Sequence, residues 1–309
     1  MNSLDSEIPK SANRCVTVVI PVYNEQGTIG GLVREIKTLY PDYDVLVVND
    51  GSTDQSATTA KEAGAEVYTQ PYNMGNGAAI KAGIRLARND LLVFMDGDGQ
   101  HDPKDIAVLI DGLSKYDMVV GVRPKGGQTS LRRSLGNKIY NWLASYVTRF
   151  NVQDLTSGFR AVKTEISRDH LRLLPNGYSY PTTLTLGALK SGRSISYAPI
   201  NIRMRKGGKS KIKLSRDGPG FFMIILKIAT LYSPLRIFIP VSLLMFGLGL
   251  TRYAYSYFTE GRFTNMSALL FITSVIIFML GLISEQICQL RFERKSPNRI
   301  PKDPDRANQ

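Results

Sequence analysis

Two regimes of apolar patterning divide the chain. From Val16 to about Ile200, short apolar runs alternate with stretches in which apolar residues recur every three or four positions. Residues 15–22 (CVTVVIPV), 44–49 (DVLVVN), 66–69, 91–95 (LLVFM) and 117–121 read as buried strands. Between the first two, Ile29, Leu32, Val33, Ile36, Leu39 and Tyr40 lie at helical spacing, and further helices are predicted over about 53–63 and 75–88. This alternation predicts an α/β domain: a parallel sheet with helices on both faces. Such sheets bind ligands at the carboxyl ends of their strands.

Beyond about residue 235 the pattern changes. Residues 237–257 are apolar apart from Arg252, and 266–290 are apolar apart from Glu285. Both runs are long enough to cross a bilayer. Arg252 lies late in its run and can snorkel; Glu285 is near an end, where a solvated position is expected. Ahead of them, Phe221, Phe222, Ile224, Ile225, Leu226, Ile228 and Leu231 predict an amphipathic helix over 215–234, lying in the membrane interface rather than packed on the globular domain. The expected organisation is a tail at 1–15, a catalytic domain at 16–214, the interfacial helix, two spans within 235–290 and a basic tail at 291–309.

Charge gives this layout a direction. Lys206, Lys209, Lys211, Lys213, Arg216, Lys227 and Arg236 precede the first span, and Arg291, Arg294 and Lys295 follow the second. The connection between spans holds only Glu260 and Arg262. Both termini and the catalytic domain are therefore expected in the cytoplasm, at a cell inner membrane. The first fourteen residues lack the apolar core of a signal peptide. Cys15 and Cys288 are the only cysteines and read as unrelated thiols of a reducing compartment. A net charge of +13 calls for an anionic partner. The basic run from Arg203 to Arg216 sits beside predicted membrane segments, so anionic lipid rather than nucleic acid is expected there.

The polar motifs fall at the strand ends: PVYNE after the first strand, NDGSTD after the second, DGDGQH after the fourth. Asp96 and Asp98, spaced by one, with Gln100, make a hard oxygen site suited to Mg²⁺ or Mn²⁺ shared with substrate phosphates. In NDGSTD, Ser52 or Thr53 is expected to cap the next helix, while Asp50 is a candidate contact to a nucleotide. The run NMGNGA at 73–78 lacks the order of a dinucleotide fingerprint and reads as a glycine-rich helix entry near the donor. His101 is more consistent with a structural part beside the metal than with a catalytic base.

In this order PVYNE, NDGSTD, NMGNGAA, DGDGQH, DLTSGFR (154–160) and RKGGKSK (205–211) resemble family 2 glycosyltransferases, and most closely their polyprenyl-phosphate branch, over residues 16–235. The resemblance implies a glycosyltransferase A (Rossmann-like) fold, followed by the two-span anchor of the bacterial members. It implies inverting transfer of a sugar from a nucleotide-sugar donor to a polyprenyl phosphate. By position, Pro21, Tyr23, Glu25, Asp50 and Asp96 would line the nucleotide pocket, with Asp96, Asp98 and Gln100 at the metal. Arg123 would reach the lipid phosphate, joined by the stretch containing Arg132, Arg133 and Ser134. Ser157 and Arg160 would lie beside the reaction centre, and Arg205 and Lys211 would close over the diphosphate. Asp98, Asp154 and Arg160 are the catalytic candidates; Asp154 is equally a structural partner for a nearby arginine or a group that orients the acceptor or acts as a base. Asn49 and Gly97 stand where many members have Asp and Ala, and neither change removes a presumed ligand. The two-span tail is similar to that of bacterial UDP-sugar users, which favours UDP over GDP. Related two-span proteins form tetramers, a state on which these residues carry no mark.

The chemistry suits these residues. A polyprenyl monophosphate, with a second pKa of about 6, is already a nucleophile at neutral pH. The difficulty is bringing two polyanions together, which calls for a metal and fixed cations. A processive polysaccharide synthase would carry Q-x-x-R-W, but the only tryptophan is Trp142 in YNWLA. A non-catalytic nucleotide-sugar-binding scaffold would have no use for an intact Asp96, Asp98, Arg160 and Lys211.

Overall fold

A computed structural model describes residues 15–122, 141–142, 144–146, 148–177, 179–203, 230 and 233–293. Arg123, Arg132, Arg133, Ser134, Arg205, Lys211 and nearly all of the expected interfacial helix lie outside the described residues. The chain separates into two compact units, residues 1–145 with 150–218 and residues 146–149 with 219–309.

The first unit is built on seven strands: β1 (Val16–Val22), β2 (Asp44–Asn49), β3 (Glu66–Thr69), β4 (Leu91–Phe94), β5 (Met118–Val122), β6 (Arg160–Lys163) and β7 (Ile195–Pro199). They form one sheet in the order β3-β2-β1-β4-β6-β5-β7. The expectation of an all-parallel sheet is corrected at one place: β6 runs antiparallel to both β4 and β5. All other pairs are parallel.

Both faces are covered, as the unbroken apolar runs of the central strands require. On one face Ile29, Leu32, Val33 and Ile36 of α1 (Gln26–Leu39), Ala60 of α2 (Ser56–Glu62) and Ile106, Leu109 and Ile110 of α4 (Ile106–Gly112) join Val18, Ile20 and Val93. On the other, Ala79, Ile80 and Ile84 of α3 (Asn76–Leu86), Ile166 of α5 (Thr164–His170) and Tyr180, Leu184 and Ala188 of α6 (Tyr180–Lys190) pack on Val19, Leu92 and Phe94. Helix α3 lies so close to β1 that a Cβ on Gly83 would come within 2.2 Å of Val19 Cγ1.

Helix α2 begins later than expected, at Ser56 rather than about residue 53. The anticipated side-chain cap is also corrected: the N-cap residue is Gln55, whose side chain makes no capping bond. Asp54, not Ser52 or Thr53, accepts from the Ser56 amide (3.0 Å) and hydroxyl, while Ser52 and Thr53 bind Asn24.

The second unit is a hairpin of α7 (Leu235–Glu260) and α8 (Asn265–Glu293), turned through Gly261 at φ 65°. Each is long and apolar enough to cross a membrane, and only 11% and 17% of their most apolar windows are buried within the protein. Their contact is close: Cβ atoms at Gly249 and Gly281 would meet the Phe271 ring at 3.2 Å and Phe238 at 2.6 Å. Ser242 and Ser274 each donate to the other's carbonyl oxygen at 2.9 Å. Glu285 is not merely solvated, since its Oε2 accepts from the Leu235 amide at the start of α7 (3.3 Å). The Arg252 guanidinium lies 5.6 Å from the Tyr255 ring centroid. Both cysteines are free.

At the end of the sheet opposite the motifs, Asp117 joins three strands. It accepts from Lys163 Nζ (2.8 Å) and from the Ser194 amide and hydroxyl (each 2.9 Å). Partial burial raises the Asp117 carboxyl, but the bonds from Lys163 and Ser194 outweigh this and hold it below the usual carboxylate range. A depressed folded-state pKa contributes stability above the ordinary carboxylate value that is lost as pH falls through the folded one. Asp117→Ala is therefore expected to cost about 1–2 kcal/mol at neutral pH. Thermal melts across pH should show its deficit shrinking below roughly pH 4.

Candidate active site

The three acidic motifs meet where the order of strands reverses, because β1 lies between β2 and β4 and later strands continue beyond β4. Side chains then stitch the loops together through backbone groups. Asn24, in the left-handed region at φ 56°, donates its amide to Ser52 Oγ (3.0 Å), and its Oδ1 accepts from the Thr53 amide (2.9 Å). The Glu25 amide donates to Ser56 Oγ (2.8 Å), and Asp54 Oδ2 accepts from the Gln26 amide (3.2 Å). The Asp54 carboxyl, raised by its slight burial, is lowered overall by these bonds from Ser56 and Gln26. Thr28 Oγ1 reaches across to the Gly97 carbonyl at 2.9 Å, tying α1 to the loop after β4.

Pro21, Tyr23 and Glu25 are half-buried at the end of β1. Asp50, 3% exposed, is spent on a neighbouring loop: its two oxygens accept from the amides of Met74 (2.7 Å) and Gly75 (2.9 Å). Here the carboxylate shapes the NMGNGA run. That loop lies so close that a Cβ at Gly51 (φ 68°) would be 2.5 Å from the Tyr72 carbonyl carbon. The run in turn packs on residues 175–177, with Ala78 N–H donating to Asn176 O (3.0 Å) and Lys81 Nζ to Asn176 Oδ1.

Asp96, Asp98 and Gln100 are half-buried in the loop leaving β4. Asp98 Oδ1 accepts from the Gln100 amide across Gly99, whose φ is 72°. Two carboxylates and an amide oxygen are donors of the kind Mg²⁺ and Mn²⁺ take. Among the described residues no group of three or more His, Cys, Asp or Glu could hold an ion. A cation here needs further oxygens, and a nucleotide diphosphate would supply them.

The DLTSGFR turn stands beside this loop. Asp154 Oδ1 accepts from the Thr156 amide and hydroxyl (each 2.8 Å) and the Ser157 amide (3.2 Å). Ser157 is half-buried, its hydroxyl 3.4 Å from Phe159 O. Arg160 is not a cation aimed at an open cleft. It is fully buried, with Nε and NH2 donating to Ser157 O, and NH1 to Pro181 O (2.8 Å) and Thr185 Oγ1 (2.9 Å). Burial lowers its pKa, while Tyr180, Asp154, Tyr197 and Asp96 act to raise it. Burial also pushes the Tyr197 hydroxyl up to about 12. His101 is buried and stacks on Phe159, with ring centroids 4.9 Å apart, in a structural setting.

Arg203, counted in sequence with the basic run, is committed to Glu35 and Asp102. No local spacing marks that pairing, because the partners lie 168 and 101 positions away.

A Cβ on Gly158 would sit 2.8 Å from Asp96 Oδ2 and 3.1 Å from Oδ1. The end of a flexible side chain gives way more cheaply than backbone, so Gly158→Ala is expected to displace the Asp96 carboxylate and spare the fold. Mn²⁺ binding in the presence of UDP should weaken about tenfold or more, with little change in melting temperature. Gly31→Ala, which meets nothing within 4 Å, should leave both unchanged.

The geometry has counterparts. Residues 17–171 match the family model described as glycosyl transferase family 2, and residues 233–290 match that of the GtrB C-terminal hairpin. An undecaprenyl-phosphate mannosyltransferase of Micrococcus luteus is 31% identical over 211 residues, 64% of this chain and 87% of its own. An undecaprenyl-phosphate 4-deoxy-4-formamido-L-arabinose transferase of Pseudomonas fluorescens is 31% identical over 246 residues, 76% of this chain and 70% of its own. Among solved structures, Mycobacterium tuberculosis glucosyl-3-phosphoglycerate synthase in complex with Mn²⁺, UDP and phosphoglyceric acid shares the fold. Its TM-score is 0.57 at 22% identity, over 71% of this chain and 79% of its own. With the motif loops gathered at one edge of a mixed glycosyltransferase A sheet and an apolar hairpin following it, the chain belongs to glycosyl transferase family 2.

Proposed function

We propose that this enzyme transfers a sugar, with inversion, from a nucleotide-sugar donor to a polyprenyl phosphate at the cytoplasmic face of a cell inner membrane. The observation that carries the reading is the meeting of Asp96, Asp98 and Gln100 with the PVYNE and NDGSTD loops, on a chain that also bears an apolar hairpin. The two curated relatives are named for different sugars and one acceptor, undecaprenyl phosphate. That pairing supports the acceptor class and leaves the sugar to the pocket. The resemblance of the two-span tail to that of bacterial UDP-sugar users favours UDP over GDP.

In this reading an oxygen of the acceptor phosphate attacks the anomeric carbon as the bond from that carbon to the nucleoside diphosphate breaks. Phosphate is already ionised at neutral pH, so no strong base is required. Pro21, Tyr23, Glu25 and the loop shaped by Asp50 receive the nucleoside. Asp96, Asp98 and Gln100 would hold Mg²⁺ or Mn²⁺, whose charge would offset that developing on the diphosphate. By the resemblance, Arg205 and Lys211 would close over that diphosphate, and Arg123, with the stretch containing Arg132, Arg133 and Ser134, would meet the acceptor phosphate. Asp154 and Ser157 shape the acceptor side, and Arg160 acts from behind them as a buried support. The hairpin crosses the bilayer twice, with basic residues such as Arg236 keeping both termini in the cytoplasm.

The test is transfer from radiolabelled UDP- and GDP-sugars to undecaprenyl phosphate in detergent with Mg²⁺ or Mn²⁺. One donor should give a lipid-phosphate-linked product, and Asp98→Ala should lower its rate about 100-fold or more. Donor binding without any lipid product would exclude this acceptor and favour a binding scaffold.

A further inference from the structure

The loop that carries Asp96, Asp98 and Gln100 is intrinsically pliable. Gly97 and Gly99 alternate with the acidic residues, and Gly99 takes a left-handed conformation. A small divalent cation demands near-ideal ligand geometry, so something must hold such a loop in shape. On the side towards β1 the tie is Thr28 to Gly97 O. On the far side, backbone and side-chain ties come from the three residues that follow Ile200. The Arg203 amide donates to the Gln100 carbonyl at 2.8 Å. Ile202 forms an antiparallel bridge with His101. Asn201 forks onto Asp105, its amide 2.6 Å from Oδ2 and its Nδ2 3.0 Å from Oδ1.

The Arg203 side chain completes this arrangement. Its NH1 and NH2 donate to Glu35 Oε2 (2.7 Å) and Oε1 (2.6 Å) on α1, and NH2 also donates to Asp102 Oδ1 (2.7 Å). Asp102 Oδ1 in turn accepts from the Lys104 amide (3.0 Å), fixing the turn after the loop. One planar guanidinium thus spans a helix and the exit of the loop. Both backbone groups of Gln100 are engaged, its N–H by Asp98 and its C=O by Arg203. The side chains of Arg203 and Glu35 are each 33% exposed, so the value of the contact lies in its two-pronged geometry more than in raw charge attraction.

We propose that Arg203 is a positioning residue for the metal-bearing loop: by clamping Glu35, Asp102 and the Gln100 carbonyl, it sets the site's affinity for its divalent cation. The inference rests on the metal reading above. Lysine cannot replace it fully, because an ammonium lacks the planar fork that meets Glu35 and Asp102 together.

The test measures Mn²⁺ binding directly, by electron paramagnetic resonance of full-length protein in detergent with UDP as the diphosphate probe. Melting temperature and the Mn²⁺ dependence of transfer are followed in parallel. Arg203→Ala is expected to raise the Mn²⁺ dissociation constant about tenfold or more. Glu35→Gln should move it the same way by less, and Arg203→Lys should fall between wild type and Arg203→Ala. Saturating Mn²⁺ should restore most of the turnover rate. A Mn²⁺ affinity within twofold of wild type in Arg203→Ala, with only the melting temperature lowered, would overturn the proposal and make the clamp purely structural. If Arg203→Ala does not fold, unchanged affinity in both Glu35→Gln and Arg203→Lys overturns it equally. Wild type that binds no Mn²⁺ in the presence of UDP would instead sink the metal reading, and this inference with it.

Discussion

A guanidinium without access to solvent dictates much of what surrounds it. Removing Arg160 from water costs several kcal/mol unless its donors are met. Ser157 O, Pro181 O and Thr185 Oγ1 meet them, which binds the DLTSGFR turn and the start of α6 to β6. Strand β6 is the antiparallel member of the sheet, and its Arg160 pairs with Phe94, two residues before Asp96. The same residue that satisfies the core thereby brings the Gly158 turn against the Asp96 carboxylate. The buried charge is compensated by field as well as by bonds, since Asp96 and Asp154 both favour the charged form against the effect of burial.

Around that fixed centre, the crevice is held by small polar side chains bonding to backbone. Asn24, Thr28, Asp50, Asp54 and Ser56 each join two loops that are distant in sequence. Such bonds leave few backbone groups at the strand ends to be ordered when a ligand arrives, which is the structural content of preorganisation. They also explain why the motifs are rich in residues with short side chains: a longer one could not reach a neighbouring amide and still leave space for a nucleotide.

Much of the sheet could be read from apolar runs alone. Strands β2 and β3 fall at their expected bounds, and β1, β4 and β5 within a residue. Strand β6 escaped notice because it is four residues long, begins with an arginine and lies inside a motif that looks like site chemistry. Its reversed direction depends on partners far along the chain, which periodicity cannot report. Position told which loops meet at the crevice, but not how each acid is used. Asp50, a candidate nucleotide contact in sequence, also shapes a neighbouring loop, and Arg160 is buried in the core rather than open to the cleft. Asp54 and Arg203 show the converse. Their importance comes from partners on other elements, and nothing next to them in the chain gives it away. Glu285 was legible as a charge near a helix end, but its use on the Leu235 amide required the hairpin itself.

That hairpin has a property of its own. In hydrocarbon, polar groups must find partners inside the protein, and Ser242 and Ser274 find each other while Gly249 and Gly281 let the two helices close. These adhesive contacts lie between α7 and α8 themselves. Among the described residues, the two helices thus carry adhesive contacts of their own, and sequence change in the catalytic unit leaves those particular contacts untouched.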